Sequence, residues 1–187
     1  MFAERGIEKA GVALIAERAG LTTGAIYNRW SGKQELLLDA LDVAMVQQVA
    51  DLLTVGPDTK VTDVLEAMGD GLLRREPASD AIVLEAVVMA RRDPAFGQVF
   101  RSRLADGDSR LAAVIEHGKA AGTIDASLST AALVTLCRAI SLGFVAMSAL
   151  STPLVAADEW NPVIHRLLAA ATPPTEPSFS TNGKARQ

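Results

Sequence analysis

The fold of this chain is decided by residues 15–30, which read IAERAGLTTGAIYNRW. The three alanines in this stretch are small enough for two short helices to cross closely, and Gly20 suits the turn that joins them. Thr22 is a good N-cap for the second helix, which we expect to run to about Trp30. Leu21 is expected to fill the space between the helices. The pattern therefore predicts a helix-turn-helix.

The exposed side of the second helix has the composition of a surface that reads DNA. In a helix-turn-helix this helix lies in the major groove, with its N-terminal residues against the bases. The residues that it would present are Thr22, Thr23, Gly24, Tyr27 and Asn28. Residues 18–34 contain three basic side chains and no acidic one, so they carry +3, whereas the whole chain carries −4. Lys33 and the free N–H groups at the start of the following helix are expected to bind one phosphate.

Composition and charge exclude several classes of protein. The chain has 187 residues, of which 49% are hydrophobic, so it is long enough and apolar enough to bury a core. Its 18 basic and 22 acidic side chains exclude nucleic-acid binding by bulk positive charge. Cys137 is the single cysteine, which excludes an internal disulfide and a cysteine-rich metal site, and favours a cytoplasmic location.

The sequence lacks the common signatures of catalysis and of cofactor binding. It contains no Walker glycine loop, no Gly-x-Gly-x-x-Gly and no Gly-x-Ser-x-Gly elbow. His117 and His165 stand far apart without a metal-binding motif, so we expect no metal site. We therefore predict no cofactor and no enzyme. A helical enzyme is a hypothesis that no constellation of residues supports.

Apolar residues recur at helical spacing through almost the whole chain, which predicts an all-α fold. Ser31 opens a long helix through a capping box with Gln34. This helix is expected to reach about Leu53, before Gly56-Pro57-Asp58 breaks the pattern. We place the domain boundary within it. The predicted units are a helix-turn-helix domain of three helices at 1–45, a C-terminal helical bundle at 46–172 and a disordered tail at 173–187.

Single residues predict further helix boundaries. The segment from Phe2 to about Gly6 looks like the end of a helix. Asp93 is an N-cap followed by proline at the first helical position. Ser129 caps another helix, and the last helix is expected from Trp160 to Ala171.

One stretch has the length of a membrane span. Ala139–Ala157 is 19 residues without a formal charge. It also contains three serines, a glycine and a proline, and Arg138 precedes it within the same helical pattern. We therefore expect no membrane span, but a helix buried inside a bundle or between subunits.

The C-terminal helices offer candidates for a pocket and for a subunit interface. Residues that would line a pocket, or else form ordinary core, are Met68, Leu72, Met89, Phe100, His117, Phe144 and Met147. The interface is expected on the helix that Ser129 caps and on the final helix, because apolar positions surround the first of these more widely than one core stripe requires. The interface candidates are Leu136, Ile140, Phe144 and Trp160.

The N-terminal part of the chain resembles the TetR/AcrR family of bacterial transcriptional repressors. The residues that carry the resemblance are Phe2, Gly6, Ile15-Ala16, Ala19-Gly20-Leu21-Thr22, Gly24-Ala25-Ile26-Tyr27, Trp30 and Lys33-Gln34-Glu35-Leu36-Leu37. Their spacing matches without a gap over about 40 residues. In this family the helix-turn-helix binds operator DNA, and the C-terminal helices form a ligand pocket and a homodimer interface.

The resemblance implies a function and roles for individual residues. It implies a ligand-responsive repressor that binds a palindromic operator as a homodimer and is released by a small-molecule effector. It also implies that residues 22–24 start the recognition helix, that Tyr27 contacts a phosphate and that Asn28 reaches a base or a phosphate. Lys33 would contact the DNA backbone.

The chain also departs from the family pattern. Family members usually have ten or more residues before the position of Phe2, so we expect the first helix to lack its N-terminal half. Gly11 replaces the usual threonine or serine near the start of the second helix, and Ala13 stands where a basic residue is frequent. Trp30 replaces a phenylalanine and is expected in the core. These departures and the acidic net charge motivate a second hypothesis, a helical ligand-binding and dimerisation protein that has lost DNA binding.

Overall fold

The computed structural model describes residues 1–53 and 61–173, and every regular element within them is helical. The helices are α1 (Phe2–Lys9), α2 (Val12–Arg18), α3 (Thr23–Arg29), α4 (Lys33–Leu53), α5 (Val61–Gly71), α6 (Pro77–Arg92), α7 (Pro94–Ala120), α8 (Thr130–Ala149) and α9 (Ala157–Ala170), with a 3₁₀ turn at Leu72–Arg74. The all-α prediction is confirmed for this part of the chain. The predicted break at Gly56-Pro57-Asp58 and all of the predicted tail except Pro173 lie outside the described residues.

The predicted helix-turn-helix is formed by α2 and α3. Gly20 lies between them with a φ of +67°, a left-handed conformation that glycine adopts without strain. The Thr22 Oγ1 accepts a hydrogen bond from the backbone N–H of Ala25 at 3.1 Å, which confirms the predicted N-cap. Ala16 and Ile26 are buried, whereas Leu21 is exposed. The prediction for Leu21 is wrong, since this residue is 48% exposed and Ala16 takes a buried position in the helix-turn-helix instead.

The first helix is kinked at Gly6 and does not end there. Gly6 has a φ of +69°, and the chain then makes a further helical turn. The backbone N–H of Ile7 donates to Glu85 Oε2 of α6 at 3.2 Å. The Lys33 Nζ of α4 donates to the carbonyl oxygens of Ile7 at 2.9 Å and Glu8 at 3.1 Å. The second turn of α1 is therefore fixed by α4 and α6.

The start of α4 differs from the predicted capping box. Glu35 Oε2, and not the Gln34 side chain, accepts hydrogen bonds from the Ser31 backbone N–H at 2.6 Å and from the Ser31 Oγ at 2.8 Å. These bonds lower the pKa of Glu35. Gln34 Nε2 donates to Asp93 Oδ2 at 2.8 Å. The capping box fails because the helix begins at Lys33, one residue later than that box requires.

Two clusters of buried apolar residues hold the helices together. The first, called the shared core below, is built from α1, α4, α6, α7 and α8 and includes Phe2, Leu37, Ala86, Phe100 and Val145. The second is built from α5, α7, α8 and the segment after α7 and consists of Val61, Leu111, Ile115, Ile124 and Val134. The shared core joins the helix-turn-helix region to the C-terminal helices.

Local capping sets the boundaries of the later helices. Asp93 Oδ1 accepts hydrogen bonds from two backbone N–H groups in the first turn of α7, and Ser129 Oγ accepts one at the start of α8. Both predicted caps are confirmed. The final helix begins at Ala157, earlier than predicted, and Asp158 and Glu159 in its first turn interact favourably with the positive end of the helix dipole.

The uncharged stretch Ala139–Ala157 is not one helix. By length and composition α8 could cross a membrane. It ends at Ala149, however, and Ser151 then adopts a φ of +52°. α8 packs on α6 and α7 and buries Val134, Phe144, Val145 and Ser148, while its other residues are half-buried or exposed. This packing favours the predicted bundle helix over a membrane span.

Candidate nucleic-acid interface and ligand cavity

The third helix leaves nearly all of its side chains in solvent. Its one buried residue, Ile26, is 3% exposed and anchors the helix to the rest of the fold. The residues from 22 to 28 that the sequence places against DNA are all exposed, and they are Thr22, Thr23, Gly24, Tyr27 and Asn28. Thr23 and Tyr27 are four residues apart, as are Gly24 and Asn28, so these two pairs lie side by side on one broad side of the helix. The structure therefore brings them together on one accessible surface.

The end of α3 is tied to α4 through Trp30. Its indole Nε1 donates to Asp39 Oδ2 at 2.7 Å, and the Arg29 guanidinium lies 5.0 Å from the indole ring. Trp30 is half-buried, so it only partly takes the core position that the resemblance implied. This hydrogen bond fixes the direction of α3 relative to α4.

The three basic residues within 18–34 differ in their surroundings. Arg18 Nη1 lies 2.8 Å from Glu4 Oε2, and this hydrogen bond and charge lower the pKa of Glu4. The Lys33 ammonium already donates to two carbonyl oxygens of α1, which leaves one N–H for a phosphate. Arg29 is exposed beside Trp30. Part of the predicted positive charge therefore serves contacts within the chain.

Polar contacts join the helix-turn-helix region to α6 and α7. Arg92 Nη1 lies 3.1 Å from Glu8 Oε1. Glu8 directly follows Ile7, whose backbone N–H donates to Glu85. Asp93 receives hydrogen bonds from the backbone N–H of Phe96, from Gln34 and from a second backbone N–H, and these lower its pKa. These contacts connect the second turn of α1 and the start of α4 to the C-terminal helices.

A cavity of about 560 Å³ lies among α5, the start of α6, α8 and α9. Two of the predicted pocket residues, Met68 and Leu72, line it. Most of its wall is apolar, and the volume falls within the range of small-molecule sites, roughly 300–1,000 Å³. Leu136 on α8 and Leu167 on α9 are exposed and also line it, so the cavity opens to solvent between these two helices.

The other predicted pocket residues do not line this cavity. Phe100 is buried in the shared core, and Met89 packs against the same cluster. Phe144 is buried, Met147 is half-buried and His117 is exposed. Helical spacing alone could not separate these residues from the cavity wall, because core and cavity positions follow the same periodicity.

An ion pair between Arg75 and Asp80 forms the buried charged part of the cavity wall. Arg75 Nη2 lies 2.7 Å from Asp80 Oδ1, and Arg75 Nε lies 3.0 Å and 3.1 Å from the two carboxylate oxygens. The side chains of Arg75 and Asp80 are only 6% and 1% exposed. This pair is not predictable from local sequence, because a single Arg and Asp five residues apart, around a helix start, look like surface residues. A basic and an acidic residue on either side of Pro77 were the available signal.

Apolar side chains remain exposed on α8, on α9 and on the segment between them. They are Leu136, Leu142, Leu150, Val155, Val163 and Leu167. Of the predicted interface residues, Leu136 is thus exposed, and Ile140 is half-buried on the cavity wall.

Phe144 and Trp160, the other two interface candidates, make contacts within the chain. Their rings meet edge-on with centroids 5.0 Å apart. The Trp160 Nε1 donates to the carbonyl of Gly69 at 3.0 Å, and an added Cβ at Gly69 would lie 2.7 Å from Ile164. These two aromatic residues therefore hold α5, α8 and α9 together, because their side chains fill a close contact inside the subunit.

The remaining chemically notable side chains are a cysteine and two histidines. Cys137 is half-buried on the cavity wall, and burial raises the pKa of its thiol. His165 Nδ1 lies 3.0 Å from Glu66 Oε1 on the surface, far along the chain from the exposed His117. In residues 1–53 and 61–173 no three His, Cys, Asp or Glu side chains are arranged to hold a metal ion.

Comparison with known proteins finds a family model that matches the N-terminal helices. Residues 1–40 match the family model for "Bacterial regulatory proteins, tetR family". No curated protein matches the sequence.

Solved structures extend the likeness of fold over nearly the whole chain. Salmonella enterica GusR superposes with a TM-score of 0.75 at 18% identity, covering 91% of this chain and 88% of that one. The fatty acid degradation regulator FadR from Bacillus halodurans gives 0.70 at 19% identity, covering 89% and 87%. The ketosteroid transcriptional regulator KstR2 of Mycobacterium tuberculosis gives 0.61 at 20% identity, covering 93% and 90%. At these identities the likeness is one of fold.

Proposed function

We propose, from the match of residues 1–40 to the model for the tetR family of bacterial regulatory proteins and from the likeness of fold, that this chain is a TetR-family repressor that binds a palindromic operator as a homodimer. A small-molecule effector bound in the C-terminal cavity would release it from DNA. The observation that carries the proposal is the exposed surface of α3 and its N-cap, where Thr22, Thr23, Gly24, Tyr27 and Asn28 are all accessible.

The roles of individual residues on this face follow from their chemistry. Thr23 and Gly24 stand at the start of α3, where a recognition helix approaches the base edges, and glycine allows a close approach. Tyr27 and Asn28 follow one turn later and can donate to phosphate oxygens or to bases. Lys33 has one N–H left for a backbone phosphate. Thr22 serves first as the N-cap and is exposed beside them.

The exposed apolar side chains of α8 and α9 support a homodimer. Apolar surface gains free energy when it leaves water, and a two-fold axis would pack this face against its own copy. Two recognition helices about 34–36 Å apart would then read successive major grooves on one side of the DNA. Leu142 and Val163 are the side chains of this face that do not line the cavity.

The sixth helix supports a route from the cavity to the DNA-binding region. Asp80 in its first turn lies on the cavity wall, whereas Glu85 binds the backbone of Ile7 and Arg92 pairs with Glu8. A ligand that favours a different position of α6 would move α1 and change the spacing of the two recognition helices. An effector acts in this way when its affinity differs between the two positions.

Binding to the DNA upstream of the protein's own gene tests the proposal. Fluorescence anisotropy would compare this DNA with a shuffled duplex of the same composition, at several salt concentrations. We expect tighter binding to the native duplex and a loss of affinity with salt that reflects the phosphates contacted. Equal affinity for both duplexes would contradict the proposal.

A second candidate is a helical ligand-binding and dimerisation protein without DNA binding. The observation that favours it is that Arg18 and Lys33 are engaged within the chain, in a protein whose net charge is −4. A dimer that binds a ligand, and that shows no salt-dependent preference for any upstream duplex, would support this candidate. A salt-dependent preference would exclude it.

A further inference from the structure

The ion pair in the cavity wall indicates what kind of ligand the cavity accepts. We propose that the cavity binds an uncharged, largely apolar molecule that carries a hydrogen-bond acceptor such as a ketone or ester carbonyl, and that the Arg75 guanidinium donates to this acceptor. The inference rests on the proposed function only for the regulatory consequence of binding. The chemical class of the ligand follows from the residues of the cavity wall alone.

The guanidinium has donors to offer. Two of its five N–H groups are directed at Asp80, which leaves three. The nearest other acceptor is the Ser141 Oγ, 3.5 Å from Arg75 Nη1, a distance too long for a strong hydrogen bond. Each guanidinium nitrogen thus has a partner within the chain, and because Arg75 lies on the cavity wall, a bound ligand can accept from the N–H groups that remain. A carbonyl oxygen between Arg75 and Ser141 could accept from both.

Charge balance at this site favours an uncharged ligand. Asp80 neutralises Arg75 at hydrogen-bond distance, so the pair offers no net charge to an ion. A ligand carboxylate would bring a second negative charge close to a carboxylate that is 1% exposed, and a ligand ammonium would face the guanidinium. Either ion would lose its hydration without gaining a free counter-charge, which is costly in a buried site.

The other charged groups of the wall are more accessible to solvent. Arg74 lies 3.8 Å from Asp70, and both side chains are exposed enough to remain hydrated, while Glu76 is exposed at the start of α6. The rest of the cavity presents hydrocarbon to a ligand. Representative wall residues are Leu65, Met68, Ile115, Leu133, Ile140 and Ile164. An apolar body with one acceptor therefore matches both parts of the wall.

A displacement assay with ligands of one chain length tests the proposal. The uncharged fluorescent dye N-phenyl-1-naphthylamine would be bound to the full-length protein and displaced by decan-2-one, decanoate or decylammonium. We expect decan-2-one to bind about 10-fold more tightly than either ion, a difference of ~1.4 kcal/mol, because an ion loses its hydration in the cavity without gaining a free counter-charge. Equal or tighter binding of decanoate or decylammonium would overturn the proposal, and so would failure of decan-2-one to displace the dye.

A double substitution tests the role of the ion pair. R75M/D80L replaces the whole pair with apolar side chains, because removing one partner would leave a buried charge. We expect the affinity for decan-2-one to fall about 10-fold, while dye binding is retained. The control R92Q/E8Q removes an exposed pair 3.1 Å apart on the other end of α6 and should leave both affinities unchanged. Unchanged ketone affinity in R75M/D80L would overturn the proposal.

The wild-type protein offers a test that needs no substitution. Cys137 is the only cysteine of the chain and lies on the cavity wall, so its alkylation by N-ethylmaleimide reports whether the cavity is filled. We expect decan-2-one to slow this alkylation at the concentrations that displace the dye, whereas displacement without protection would overturn the proposal. DNA binding by the same preparation is measured separately. A failure there would count against the regulator proposal and leave the ligand assignment standing.

Discussion

The third and eighth helices both leave much of their length exposed, but they expose opposite chemistry. α3 has seven residues, buries Ile26 and presents hydroxyl, amide and phenol groups. α8 has 20 residues, of which Arg138 alone is charged, and presents leucines such as Leu136 and Leu142. Hydrated polar groups can stay in water at no cost, whereas apolar surface gains free energy by leaving it. The same degree of exposure therefore suits α3 to nucleic acid and α8 to a second apolar surface.

The largest expected effect comes from placing a negative charge on the exposed surface of α3. An added Cβ at Gly24 would lie no closer than 3.9 Å to Thr22 Oγ1, so Gly24→Glu leaves the fold intact. Each subunit would then bring a carboxylate against phosphate, and we expect operator affinity to fall about 1,000-fold, or ~4 kcal/mol over two subunits. Anisotropy with the upstream duplex measures the loss.

The control for this substitution is Gly107→Glu on α7, where an added Cβ also meets open space. This variant adds the same charge to the chain away from α3 and should bind DNA like the wild type. An equal loss of affinity in both variants would show that α3 is not the DNA-reading surface.

The next effect concerns the apolar face of α8. Leu142 is 44% exposed and does not line the cavity, so Leu142→Asp changes the proposed interface without touching the ligand wall. A carboxylate buried between two subunits has no partner, and we expect the dimer dissociation constant to rise about 100-fold. Sedimentation equilibrium measures the mass.

Val99 on α7 provides a matched control, because it is 43% exposed and equally apolar. Val99→Asp should leave the dimer unchanged. If Leu142→Asp also kept the dimer mass, the α8 face would not be the interface. Phe144→Asp is a poor test of the same idea, since Phe144 is buried inside the subunit against Trp160.

A smaller effect concerns the N-caps of α3 and α8. We expect the loss of each cap to lower the free energy of unfolding by a different amount. Thr22→Ala removes the hydrogen bond to the backbone N–H of Ala25, 3.1 Å long, and we expect the free energy of unfolding to fall by about 1 kcal/mol. Ser129→Ala removes a longer bond of 3.3 Å at the start of α8, so the loss should be less. Urea unfolding measures both, with Thr22→Ser as the variant that keeps the cap. A larger loss in Ser129→Ala would contradict this ranking.

The smallest effect is a pH dependence at the junction of the two regions. Hydrogen bonds from the backbone N–H of Phe96 and from Gln34 lower the pKa of Asp93 below its ordinary value of 3.8. A lowered folded-state pKa contributes stability that is present above the unfolded pKa and is lost as the pH falls through the folded value. We expect Asp93→Asn to flatten the loss of thermal stability below about pH 4, relative to the wild type.

The control for this pH profile is Asp106→Asn at an exposed position on α7. It should leave the slope of the wild type unchanged. A profile of Asp93→Asn that runs parallel to the wild type would show that the Asp93 carboxylate does not link folding to pH.

Local chemistry explains which parts of the fold the sequence could predict. Thr22, Asp93 and Ser129 were identified as caps because a cap depends on a few neighbouring residues. The capping box at Ser31 failed because it depends on the register of a single residue, and Glu35 competes with Gln34 for the same role.

Tertiary packing explains what the sequence could not predict. Phe100 and Met68 have the same helical spacing and hydrophobicity, yet one lies in the shared core and the other on the cavity wall. The direction in which a helix face points depends on the helices packed around it, which periodicity does not record. Arg75 and Asp80 were overlooked because charged residues are rarely buried unless paired, and their pairing exists only in the folded chain.

The shared core has a consequence for how the protein unfolds. Phe2 of α1 belongs to the same buried cluster as Leu37 of α4, Phe100 of α7 and Val145 of α8. The N-terminal helices α1 and α4 and the C-terminal helices therefore share one interior, while the cavity lies beside the second buried cluster. Unfolding of either set of helices exposes apolar surface of the other, so heat or denaturant should melt them in one cooperative transition. By sequence the chain divides into domains, but we expect the helices of the shared core to unfold as a single unit.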